Sequence, residues 1–172
     1  MQSKVIWLFG LSGAGKSTIA QQLVKHLKSN HYPIVLLDGD EVRSSVNKDL
    51  GFSDEDRMEN IRRSAEFAKL LIGQNMFVIA AFITPRKIMR DLVKQVLNDK
   101  VILFFIDTPL EECIKRDVKS LYKKATGNEI KDFTGIQSVF EIPENENVIT
   151  ISTINKSPEE CANEILNYLT LK

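Results

Sequence analysis

Short, nearly unbroken apolar runs recur along the chain at residues 4–9, 33–37, 76–82, 101–106 and 147–151, rich in β-branched and aromatic side chains. They lack the alternation of a strand with one wet face, so they predict strands buried on both faces. The stretches between them, of roughly 10 to 20 residues, read as helices. The β-α-β-α alternation predicts an α/β, three-layer architecture: a mainly parallel five-stranded sheet with helices on both faces. Helix starts carry their own marks. Thr84-Pro85 precedes one, Thr108-Pro-Leu-Glu111 reads as a capping box with proline in the first turn, and Ser157-Pro-Glu-Glu160 repeats it. In the last helix Cys161, Ile165, Leu166 and Leu169 share a core-facing stripe.

Residues 117–141 interrupt this order. Lys119, Lys123, Lys124 and Lys131 stand among polar residues with Gly127 and Gly135, and no clean period runs through them. Between the fourth and fifth strands such a basic segment reads as a lid, a solvated face being the plainer alternative.

Composition narrows the partners. A chain of 172 residues that is 43% hydrophobic and 27% charged fits one domain, residues 1–172. With 23 residues of each sign the net charge is zero. Broad attraction to a nucleic acid polymer or an anionic membrane is therefore not expected, and a small anionic ligand is. No leader-like segment and no apolar run of about 20 residues is present, so a cytoplasmic protein is expected. Cys113 and Cys161 lack metal-ligand spacing and read as buried thiols. His26 and His31 belong to no triad and read as surface residues.

The chemistry starts at Gly10-Leu-Ser12-Gly13-Ala14-Gly15-Lys16-Ser17, a complete G-x-x-x-x-G-K-[ST] phosphate loop directly after Val5–Phe9. Its fixed positions would recur by chance in about one chain of this length in a hundred. At a strand-to-helix junction the backbone N–H groups and helix dipole converge on phosphate, Lys16 reaches the β- and γ-phosphates, and Ser17 binds Mg²⁺. The layout is that of the P-loop NTPase fold, and ATP or GTP is the expected ligand.

Other residues choose among the activities such a loop serves. Guanine recognition wants Asn-Lys-x-Asp, but Asn155-Lys-Ser-Pro158 has proline where the acid belongs and Asn47-Lys-Asp-Leu50 has leucine. A motor ATPase wants an acidic pair closing a strand, and Asp107 has no acidic neighbour. Strand two instead ends in Asp38-Gly-Asp40 at the sheet edge where ligands of open α/β folds sit. Two apart on an extended segment, the carboxylates would point the same way, Asp38 toward Mg²⁺ and Asp40 toward an attacking hydroxyl as its base. The alternative is a turn capping the next helix. Further on, Arg57 and Asn60 neighbour each other near a helix start and, with Arg43, suit an anionic substrate group. Arg62 and Arg63 point elsewhere.

Taken together, these residues resemble the adenylyl-sulfate kinase family nearly end to end. The likeness rests on the phosphate loop through Thr18, Asp38-Gly-Asp with Val42-Arg43, Asp49-Leu-Gly-Phe-Ser53, Asp56-Arg57 with Glu59-Asn-Ile-Arg-Arg63, Ala81-Phe-Ile-Thr-Pro85, Leu121-Tyr-Lys-Lys-Ala125 and Phe133-Thr-Gly-Ile136. It implies a kinase that uses ATP and Mg²⁺ to phosphorylate the 3′-hydroxyl of adenosine 5′-phosphosulfate (APS). By the same resemblance, Phe52 and Phe133 sandwich the base, Arg43, Arg57 and Asn60 hold the phosphate and sulfate end, and Ile83 and Lys119 line the pocket. Thr84, where the family commonly has serine, lies near the substrate, and Arg116, Lys123 and Lys124 act on the transferring phosphoryl group. Related kinases are often dimers, so a homodimer is a further expectation.

The chain departs from the family pattern at Arg86, where an aromatic is often found, and at Val118, Ser120, Thr126 and Gln137, the last replacing aspartate. These changes gather over the second substrate and leave an alternative acceptor open, such as a cytidine 5′-diphosphoramidate. A catalytically silent ATP-binding subunit is the alternative from another class.

Overall fold

The computed structural model describes residues 3–117, 120–127 and 133–170. Five strands form one sheet: β1 (Val5–Phe9), β2 (Ile34–Asp38), β3 (Phe77–Ala81), β4 (Val101–Asp107) and β5 (Ile149–Ser152). Their order is β2-β3-β1-β4-β5 and every pairing is parallel. The helices between them are α1 (Lys16–Ser29), α2 (Gly39–Ser44), α3 (Asp54–Gly73), α4 (Lys87–Leu97), α5 (Leu110–Arg116), α6 (Leu121–Thr126) and α7 (Pro158–Thr170).

The central strand shows why its run is unbroken. All of Val5 to Phe9 is 0% exposed. Because side chains alternate across a strand, Ile6 and Leu8 join the core under α1 and α7, whereas Val5, Trp7 and Phe9 join the core under α3 and α4. A strand with helices on both sides has no wet face to encode. Cys161, Ile165, Leu166 and Leu169 are buried in the first of these cores, as the stripe predicts, and His26 and His31 are exposed.

Of the two predicted capping boxes one forms, and the Thr84-Pro85 start is displaced. At α7, Ser157 N–H donates to Glu160 Oε2 at 2.7 Å while Glu160 N–H donates to Ser157 Oγ at 3.2 Å, with Pro158 first in the helix. The α5 helix starts after Pro109, with no side-chain cap. Thr108 faces inward instead, its hydroxyl on Ala14 O at 3.0 Å and on Thr153 Oγ1 at 2.7 Å. At α4 the residue before the helix is Arg86, not Thr84, and the cap comes from afar: Lys87 N–H donates to Glu141 Oε2 at 2.5 Å. Buried hydroxyls found tertiary partners that outcompete a local cap.

All these crossovers bring the carboxyl ends of β1 to β4 to one edge of the sheet, with β1 in the middle. The described part of 117–141 lies beside that edge as α6 and a turn around Phe133–Ser138.

Candidate active site

At the sheet edge a cavity of about 530 Å³ opens. One end of it is the loop between β1 and α1. Gly10 has φ +151°, and a Cβ there would meet Ile106 O at 2.6 Å, so β1 and β4 can approach only through glycine. Gly15, at φ +97°, turns the chain into α1 as its N-cap, and no acidic residue occupies the first turn. The amide groups and dipole of a 14-residue helix therefore face the cavity with no acidic residue of the helix's own first turn against them. Ser12, Gly13 and Thr18 line the cavity, whereas Gly10 and Ala14 are buried and shape the loop. Lys16 Nζ donates to Gly10 O at 3.0 Å and Leu11 O at 2.7 Å, which holds the ammonium across the loop.

Ser17 and Asp38 meet as the sequence suggests, Ser17 Oγ donating to Asp38 Oδ2 at 2.5 Å. Asp40 differs from expectation in its backbone. The chain turns helical immediately after Asp38, so Asp40 sits in the first turn of α2, and Asp38 Oδ1 accepts from Asp40 N–H at 3.0 Å. The pair is thus a helix cap and part of the cavity wall at once, since both carboxylates line it. Asp38 and Ser17 offer adjacent hard oxygens beside a phosphate loop, the donor set Mg²⁺ takes together with nucleotide phosphates. Among the described residues no group of three or more His, Cys, Asp or Glu could hold a metal by itself.

The far end is aromatic and cationic. Phe52 and Phe133 both line it, Phe52 being 63% exposed. The Arg43 guanidinium lies 4.7 Å from the Phe52 ring centroid and donates to Gly51 O at 2.6 Å. Burial first, and then the charge of Arg57, lower the Arg43 pKa below its ordinary value. Asp56 and Asp40 offset part of that shift, so the two arginines stand among both signs of charge. Arg57 itself spans the cavity mouth, Nε donating to Phe52 O at 2.8 Å and Nη1 to Thr134 Oγ1 at 2.6 Å. It is therefore a brace between the two aromatic segments as well as a cation beside them. Asn60 is buried and accepts from Asn47 Nδ2 at 3.0 Å.

Ile83 and Thr84 form the floor. Ile83 O accepts from Gly10 N–H at 3.3 Å, which ties this wall to the phosphate loop. Thr84 is 1% exposed, has φ +43° and accepts from Trp7 Nε1 at 3.0 Å. That left-handed conformation costs a β-branched residue of order 1–3 kcal/mol. Arg116 lies by the phosphate loop, its Nη1 3.8 Å from where a Gly15 Cβ would be. Lys123 is exposed and borders a shallower hollow next to the cavity rather than the cavity itself. Lys119 lies outside the described residues, and the side chain of Lys124 does too.

Two residues that sequence reasoning passed over support this site, Tyr122 in its wall and Arg90 behind it. Tyr122 donates its hydroxyl to Ser12 O at 2.8 Å and packs edge-on against Phe133, ring centroids 5.0 Å apart. Arg90, 0% exposed, reaches Thr84 O. Tyr122 lies inside a quoted motif, and no local pattern marks Arg90. Arg86 turns outward to pair with Asp54 at 2.8 Å.

Comparison with known proteins agrees with this geometry. The family model of adenylylsulphate kinase matches residues 2–151. The adenylyl-sulfate kinase of Clostridium kluyveri is 46% identical over 168 residues, covering 98% of this chain and 84% of that one. That of Bacillus licheniformis is 48% identical over 169 residues, covering 98% and 85%. The APS kinase of Mycobacterium tuberculosis, solved in complex with AMPPNP and APS, superposes with a TM-score of 0.94 at 38% identity, covering 98% of each chain. The chain belongs to the adenylyl-sulfate kinase family.

Proposed function

We propose that this protein transfers the γ-phosphoryl group of Mg²⁺-ATP to the ribose 3′-hydroxyl of adenosine 5′-phosphosulfate, giving 3′-phosphoadenosine 5′-phosphosulfate. The observation that carries the reading is one cavity lined by a phosphate loop, by Arg43 and Arg57 with two aromatics, and by Asp40. We read the chain as one kinase domain with 117–141 as its lid, working in the cytoplasm.

Lys16 and the α1 N-terminus would neutralise the β- and γ-phosphates, with Arg116 adding charge as transfer proceeds. Ser17 and Asp38 would hold Mg²⁺, which supplies charge neutralisation across the phosphates. Asp40 would accept the proton of the attacking 3′-hydroxyl. Phe52 and Phe133 would fix the base by stacking, while Arg43, Arg57 and Asn60 take the anionic 5′ group. Thr84 enters as a wall residue: its hydroxyl is buried and already bonded to Trp7, which supports direct transfer without a covalent step on it.

ADP release with Mg²⁺-ATP and a panel of 5′-activated nucleotides tests this. The phosphosulfate should exceed cytidine and uridine analogues in kcat/KM by about tenfold or more. A cytidine preference would leave the 3′-kinase chemistry standing and replace the acceptor. Failure of every acceptor to elicit ADP release would make the chain a catalytically silent ATP-binding subunit.

A further inference from the structure

Three consecutive carbonyls of the acceptor wall are each held by a different partner. Ile83 O takes Gly10 N–H, Thr84 O takes Arg90 Nη1 at 3.3 Å, and Pro85 O takes Glu141 N–H at 2.8 Å. Thr84, the middle one, has the left-handed backbone that a β-branched residue keeps only where its surroundings dictate it. Arg90 is fully buried at 0% exposure, and its partner side chain, Glu146, is 3% exposed. Nε donates to Glu146 Oε2 at 2.8 Å and Nη2 to Glu146 Oε1 at 2.6 Å, so the carboxylate occupies two corners of the planar fork and the third is left for Thr84. The guanidinium also lies 5.2 Å from the Phe9 ring centroid, at the end of the strand that leads into the phosphate loop.

A buried ion pair is weak support for stability, because desolvation offsets most of the Coulomb gain and an apolar pair of similar volume often serves as well. What an apolar pair cannot do is donate to Thr84 O. We infer that Arg90, aligned by Glu146, is a positioning residue for acceptor binding that acts through the Thr84 carbonyl. It fixes the floor of the pocket from behind, and Glu141 and Glu146 both come from the segment that runs from the lid turn to β5, so that segment sets the floor as well. The inference rests on the reading of this wall as part of the acceptor site.

Two variants test it, assayed with whichever 5′-activated nucleotide the unmodified protein turns over, so that a wrong acceptor assignment shows in the unmodified protein first. R90K keeps a cation against Glu146 but lacks the planar fork. R90M/E146L removes both charges at similar volume. Each should raise the acceptor KM about three- to tenfold while ATP KM stays within about twofold, the split expected for loss of one hydrogen bond to the wall. The inference is overturned by a folded variant with an unchanged acceptor KM, or by ATP and acceptor KM rising together. Failure of both variants to fold would assign the pair to structure alone and overturn it too.

Discussion

At the phosphate-loop end of the cavity, Lys16 is fixed by carbonyls five and six residues away. At the aromatic end, Arg57 is fixed by Thr134, 77 residues distant, and Thr84 by Trp7 across an equal separation. Tyr122 joins the two ends over 110 residues. The first kind of site is a local conformation that a short sequence can specify. The second exists only after the sheet has assembled, and its parts are spread over α3, the β3–α4 connection and the turn around Phe133. The lesson is energetic as well as topological: the local end should tolerate disturbance of the far segments, and the far end should not.

The largest effect should come from the residue standing between the two. Asp40→Asn keeps the size of the side chain and removes the proton acceptor, so turnover should fall about 10²- to 10⁴-fold, the usual worth of a positioned general base. Binding of a non-hydrolysable ATP analogue should barely change, because the bonds that shape the phosphate loop, from Lys16, Thr108, Tyr122 and Ile83, do not involve the Asp40 carboxylate. Turnover near that of the unmodified protein would remove Asp40 from the base role. Weakened analogue binding would mean the two ends are not separable at Asp38-Gly39-Asp40.

Phe133→Ala comes next. Losing one stacking face should cost about 1–3 kcal/mol of acceptor binding, a KM increase of about five- to 150-fold. ATP should be less affected, though not wholly spared, since Tyr122 loses its edge-on neighbour while keeping its bond to Ser12. Equal rises in both KM values would show that the ring serves the loop as much as the base.

The same contrast explains what was legible in the sequence. Buried parallel strands announce themselves as unbroken apolar runs, and the phosphate loop is a contiguous word, so both could be read directly. The Ser157–Glu160 box could be read because its reciprocal bonds close within four residues. Thr108 offered the same local signal and Thr84-Pro85 a plainer helix start, but each hydroxyl is buried and bonds a residue from another part of the chain, and the local rule failed there. Asp38 and Asp40 were found by type and spacing, but the capping turn that joins them stood only as the alternative to an extended pair, because the strand pattern gives no sign of where extension ends. Arg57 was recognised as a cation near an anion. Its role as a brace depends on Thr134, which lies in a quoted motif that says nothing of its partner, and Arg90 depends on Glu146, 56 residues away and marked by no period or motif.

Gln137 gives the finest test, because it stands where the family pattern has aspartate. Its Oε1 accepts from Phe133 N–H at 3.2 Å and its Nε2 donates to Ala125 O at 3.3 Å, so one amide clips the Phe133 turn to α6. Aspartate is one methylene shorter and has no donor. It can answer Phe133 N–H or neither group, and its charge would face the Ala125 carbonyl. Gln137→Asp should therefore loosen Phe133 by about one neutral hydrogen bond, a two- to tenfold rise in acceptor KM at unchanged ATP KM. Gln137→Glu, which keeps the length and the acceptor but loses the donor, should fall between the two. If instead the aspartate variant matches the unmodified protein, Phe133 is held by Tyr122, the Arg57–Thr134 brace and the backbone bonds of its own turn. The departure from the family pattern would then have no consequence for the acceptor, and the far end of the site would be less dependent on its distant contacts than the phosphate-loop comparison implies.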